Sequence, residues 1–148
     1  MPKNMSRHMP KNSLTLLLPQ KVKTPYIKEG LSHYLSKIKS YASLSIVEPK
    51  SEEAFQHYCQ RLEKETITIV LDEKGRQFNS VNFAKTWEGF VSQKVKGISF
   101  IVGGPFGFKT PPRADLTLSL SSLTLNHEMT PLFLVEQVYR AYTILQGH

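Results

Sequence analysis

Short apolar runs rich in β-branched residues alternate with amphipathic stretches of helical period along the chain. No other feature limits the fold as much. Leu14–Leu18, Leu44–Val47, Thr66–Leu71, Ile98–Val102 and Leu116–Leu120 each fit a strand. Between them, Ile27, Leu31, Tyr34, Leu35 and Ile38 recur at helical spacing, as do Phe55, Tyr58, Cys59 and Leu62, and then Phe83, Ala84, Trp87, Phe90 and Val91. Thr24-Pro25, Ser51 ahead of Glu52 and Glu53, Ser80, and Thr130-Pro131 read as helix starts. Strands that alternate with helices imply an α/β fold with a mostly parallel sheet flanked by helices. The final helix carries Leu132, Val135, Val138, Tyr139, Tyr142 and Leu145, a wider apolar stripe than one buried face needs. It is expected to be covered on two sides, by the protomer core and by a second copy in a homodimer.

At 148 residues the chain is one domain of common size. Met-Pro-Lys-Asn occurs at positions 1–4 and again at 9–12, so residues 1–12 are expected to form a disordered basic leader ahead of a single domain at 13–148. Cys59 is the only cysteine, which excludes an intrachain disulfide and a cysteine metal cluster and suits a reducing cytoplasm. It reads as a small core residue, and Trp87 as a core anchor. No apolar run is long enough to span a membrane. Residues 1–50 hold nine Lys/Arg and two acidic residues, whereas residues 51–148 hold ten of each. The whole surplus of positive charge therefore lies in the first third, which suits a polyanionic partner such as RNA. Within it, Gln20-Lys21-Val22-Lys23 follows the first strand, at the end where open α/β sheets place ligands.

The segment that carries the chemistry begins at the fourth strand. Gly103-Gly104-Pro105-Phe106-Gly107 removes three side chains from a turn, so backbone can approach a ligand. The spacing is neither a dinucleotide fingerprint nor a P-loop. The fifth strand follows, then Ser121-Ser122-Leu123-Thr124-Leu125-Asn126-His127, and a helix bearing Glu136-Gln137-Val138-Tyr139-Arg140-Ala141. In this order the pieces closely resemble the ribosomal RNA large subunit methyltransferase H family, the small single-domain branch of the SPOUT methyltransferases. The resemblance covers most of the chain from about Leu14 and is strongest from Phe100 onward. It implies a C-terminal trefoil knot, a homodimer and S-adenosylmethionine as methyl donor, with no metal. It further implies methylation at N3 of a pseudouridine in large-subunit (23S) rRNA, within the assembled ribosome and in the cytoplasm. By the same resemblance Leu71, Gly103, Gly104 and Leu120, Ser121, Ser122, Leu123, Thr124 and Leu125 form the cofactor cradle, the leucines as apolar walls and the rest largely through backbone.

Methyl transfer to a ring nitrogen requires alignment of the methyl carbon and loss of the imide proton. Arg140 and His127 are the candidates for handling that proton, one as a stabilising cation and the other as a base. Asp72 and Glu73 are neighbours in a turn and read as solvated. The chain departs from the resemblance at Phe106, at the proline-bearing Lys109–Arg113 stretch and at Pro131, where relatives commonly carry arginine. It stops at His148, before a Tyr- and His-containing tail, so cofactor binding is expected to outlast turnover. Two other readings share these residues: a non-catalytic ribosome- or RNA-binding protein that keeps the fold, and a related tRNA methyltransferase.

Overall fold

Period-two alternation in the strands puts one set of apolar side chains on each side of a sheet, and the helices close over both. The computed structural model describes residues 12–62, 66–104 and 107–147. In chain order these form β1 (Asn12–Leu17), α1 (Pro25–Ile38), β2 (Ala42–Val47), α2 (Glu52–Gln60), β3 (Thr66–Arg76), α3 (Ser80–Val91), β4 (Gly97–Val102), β5 (Leu116–Leu118) and α4 (Met129–Leu145). The sheet order is β2-β1-β4-β3-β5 and every neighbouring pair is parallel. The expected α/β fold with a parallel sheet flanked by helices is therefore the observed one. The leader expected at 1–12 lies outside the described residues except for Asn12, which opens β1.

On one face, Leu14 and Leu16 of β1, Ile67, Ile69 and Leu71 of β3, and Ile98, Phe100 and Val102 of β4 pack under α1, α3 and α4. Trp87 is fully buried there, stacked on Phe100 at 5.6 Å and edge-on to Tyr142 at 5.8 Å. It is the core anchor that its helical spacing implies. On the other face, Leu17, Val70 and Ile101 meet Phe55 and Cys59 of α2. Tyr58 departs from the expected buried face of α2 and stands half-exposed, while Gln56 is buried in the helix.

The broad stripe on α4 is covered in part by neighbours within the same chain. The helix lies against both α1 and α3 of the same chain. A Cβ at Gly30 of α1 would come 2.8 Å from the Leu132 side chain, and Tyr139 packs against Tyr34 and Tyr41. These neighbours cover much of the stripe, and Leu132, Tyr139 and Leu145 remain only partly buried.

Three element boundaries also moved. β3 runs on to Arg76, with Leu71 and Arg76 both paired to Leu118, so Asp72–Gly75 is a bulge in a strand and not a plain turn. β5 stops at Leu118: the Ser119 amide makes the last ladder bond, to the Arg76 carbonyl at 2.9 Å, and the Ser119 hydroxyl donates to the Ser121 carbonyl at 3.0 Å in the loop beyond. α4 begins at Met129 with Glu128 at its cap position, so Thr130-Pro131 sits inside the first turn. Pro131 is tolerated there because the first helical amides have no partner to lose.

Candidate active site

A cavity of about 520 Å³ opens at the carboxyl ends of β3, β4 and β5. Leu71 and Leu118, the last apolar residues of adjacent strands, form its floor with Val102. This is the end of a parallel sheet at which connecting loops make ligand sites.

The first wall is the glycine turn, with Gly103, Gly104, Gly107 and Phe108. Its glycines do different work. A Cβ at Gly104 would lie 2.9 Å from Pro19 Cβ, so the missing side chain lets the turn close against the loop after β1. Gly107 has φ of +66°, where an L side chain is strained. At Gly103 a Cβ would make only ordinary contact with the Phe108 ring. The turn is held from behind by Gln56. Its Nε2 donates to the Gly107 carbonyl at 2.9 Å and its Oε1 accepts from the Lys109 amide at 3.1 Å. Glu52 takes the second Nε2 proton, and one turn on, Gln60 donates to the Thr110 carbonyl at 2.8 Å. Phe108 stacks over Phe55 at 6.0 Å.

The second wall is the loop after β5, contributing Ser119, Leu120, Ser121, Leu123, Thr124 and Leu125. The Ser121 hydroxyl accepts from the Leu123 amide at 2.9 Å. The Thr124 hydroxyl donates to Glu73 across the mouth at 3.0 Å, and Asp72 accepts from the Lys74 amide at 2.9 Å. Leu123 is 75% exposed at the rim. Ser122, expected in the cradle, is exposed and is not among the lining residues.

His127 and Thr130 close the cavity on the side of α4. The Gln20 side-chain nitrogen lies 3.1 Å from His127 Nε2. With the Gln20 amide nitrogen as donor, Nε2 is the acceptor of this hydrogen bond. The adjacent Glu128 carboxylate accepts from the amides of Lys23 at 2.8 Å and Thr24 at 3.1 Å. Hydrogen bonds from the Thr24 side chain and the Lys23 backbone hold its carboxyl below the usual glutamate range. Thr24 occupies the cap position of α1 without capping it through its side chain.

Arg140, the other expected catalytic group, lies outside this lining. It is exposed on α4 and pairs with Glu136 one turn earlier at 2.5 Å. The structure thus brings together Leu71, Gly103, Gly104, Leu120, Ser121, Leu123, Thr124, Leu125 and His127, and leaves Ser122 and Arg140 apart. Sequence reasoning set aside Asp72 and Glu73, which the bulge in β3 turns toward the mouth. It missed Gln56 altogether, since a glutamine in a polar helix carries no local signal.

The cavity suits a compact ligand with an apolar ring, hydrogen-bonding edges and positive charge. Leucine side chains offer flat apolar contact, glycine backbone permits close approach, and two carboxylates stand at the mouth. Residues 13–148 match the family model described as "Predicted SPOUT methyltransferase". Among curated relatives, the Ribosomal RNA large subunit methyltransferase H of Coprothermobacter proteolyticus is 37% identical, over 86% of this chain and 90% of its own. The protein of that name from Geobacter metallireducens is 35% identical over 90% and 95%. The one from Acetivibrio thermocellus is 30% identical over 90% and 96%.

Proposed function

The chain belongs to the SPOUT methyltransferase family and is an rRNA methyltransferase, and from that premise we propose that it methylates N3 of a pseudouridine in large-subunit rRNA. The observation that carries the reading is the meeting of the glycine turn, the Leu120–Leu125 loop and His127 around one cavity. When bound, S-adenosylmethionine supplies a methyl group on a sulfonium centre. Leu71, Leu118, Leu120 and Leu125 offer apolar contact to its adenine, and the backbone of Gly103 and Gly104 its polar edges. Asp72 and Glu73 offer negative charge to a cationic ligand, with Glu73 already oriented by Thr124.

The target ring must lose its N3 proton. His127 borders the cavity and is the base candidate; its Nε2 is engaged by the Gln20 side chain, so it takes the proton only once that hydrogen bond gives way. Arg140 has no such position within one chain. The walls supply orientation, which carries most of the rate in a displacement of this kind. The same reading extends to a trefoil-knotted C-terminal region, a homodimer, the assembled large subunit as substrate, and a cytoplasmic location. No described helix is long and apolar enough to cross a membrane.

Calorimetry with S-adenosylmethionine tests the pocket. The chain should bind it, and Gly104→Val should not, while both give the same circular dichroism spectrum. Equal affinity in the two would contradict the assignment.

A further inference from the structure

The loop that joins β1 to α1 lies along the edge of the cavity. Pro19 abuts Gly104 on the glycine wall, and Gln20 reaches His127 on the opposite side. Three of the next four backbone amides are held by carboxylates from other parts of the chain. Val22 donates to Glu48 at 2.8 Å, and Lys23 and Thr24 donate to the two oxygens of Glu128. Glu48 follows β2 and Glu128 precedes α4, so the loop is pinned between two distant segments.

The consequence lies in what these carboxylates leave alone. Both are engaged by backbone amides, and neither is paired to a lysine side chain among the described residues. Lys21 and Lys23 are exposed, and neither ammonium is in an ion pair among the described residues. Tyr26, in the first turn of α1, is 67% exposed, the second most exposed of the large apolar side chains described. A rigid backbone thus presents two cations and an aromatic face beside a methyl-transfer cavity. Ammonium groups at such a rim meet phosphates, and an exposed ring stacks a base that has left its helix.

We propose that the Gln20–Tyr26 segment is the surface that receives RNA, with Lys21 and Lys23 on the backbone phosphates and Tyr26 against an unstacked base near the target nucleotide. Glu128 is a positioning residue, acting through the loop backbone it holds. This rests on the reading of the chain as an rRNA methyltransferase.

The test is steady-state methyl transfer to large ribosomal subunits lacking the modification, with cofactor affinity measured separately. Lys21→Glu with Lys23→Glu should raise KM for subunits by roughly tenfold or more and flatten the salt dependence by about two counterions. Tyr26→Ala should raise KM by roughly fivefold or more without changing the salt slope. Glu128→Ala should raise KM while keeping the slope, because both lysines remain. Cofactor affinity should stay within about twofold of wild type in all three, since none of these side chains lines the cavity. Lys85→Glu with Lys94→Glu, on exposed residues in α3 and just beyond it, matches the charge change and should leave KM unaltered. Unchanged KM in the loop variants would overturn the surface while leaving the enzymatic reading intact. An equal rise in the Lys85/Lys94 control would assign the effect to net charge and also overturn it. A wild-type chain that transfers no methyl group to large-subunit RNA would remove the functional reading itself.

Discussion

Single residues divide into those whose role was legible and those whose role depends on a distant partner. Cys59 was legible as a core residue from its helical spacing. Burial, and then the nearby Glu52 charge, push its thiol up to about 11. A buried, protonated thiol is a poor nucleophile, so at pH 8 it should react with a disulfide reagent roughly two orders of magnitude more slowly than a free cysteine. Because its folded pKa is raised, its contribution to stability is complete below the unfolded thiol pKa. It is lost as pH rises from there through about 11. Unfolding midpoints taken across that alkaline range check the sign. Glu128 was not legible, because its partners Lys23 and Thr24 are over a hundred positions away. Its carboxyl is lowered, so the stability it adds is present above the unfolded glutamate pKa and fades as pH falls through the folded value. A carboxyl titration followed by NMR should show the Lys23 and Thr24 amides shifting at that same low pH. Independence of the two would contradict the pinning of the loop.

Among the elements, long periodic segments were read correctly and their ends were not. Strand and helix identity follows from period, which depends on neighbours in sequence. The ends of β3, β5 and α4 depend on contacts across the sheet. β5 pairs twice at Leu118, for example, because the bulged β3 brings Arg76 back beside it. Gly103 and Gly104 were expected to act alike, yet only Gly104 is packed against Pro19. The role of α2 as a clamp on the glycine turn was also hidden. Gln56→Ala would strip one bond each from the Gly107 carbonyl and the Lys109 amide, at about 1–3 kcal/mol for each group left unsatisfied. We expect cofactor affinity to fall by roughly tenfold with a smaller loss of thermal stability, measured by calorimetry and melting. Gln56→Glu should not rescue it, since a carboxylate would face the Gly107 carbonyl and Glu52.

For the whole molecule, the alternation of strand and helix was sufficient for the parallel sheet, and the charge asymmetry pointed to RNA. Strand order was beyond reach, because adjacency of β1 with β4 and of β3 with β5 arises only once the chain is folded. The cavity exists through that order, which brings the ends of β3, β4 and β5 together. Trp87→Ala should cost about 3–5 kcal/mol by emptying the core beneath α4, and chemical denaturation would measure it. The homodimer stays a proposal: α1 and α3 cover part of the α4 stripe within one chain, and Leu132, Tyr139 and Leu145 remain partly buried. It stands on the family reading, and sedimentation at tens of micromolar decides it (roughly where even weak interfaces associate). The central claim is that this cavity delivers a methyl group to one nitrogen of one rRNA nucleotide. The direct measurement is mass spectrometry of rRNA from unmodified large subunits after incubation with the protein and isotopically labelled S-adenosylmethionine. The account predicts one labelled methyl group, on N3 of a pseudouridine, absent when Gly104→Val is used. A label on another nucleotide, or none with a cofactor-binding wild-type protein, would contradict it.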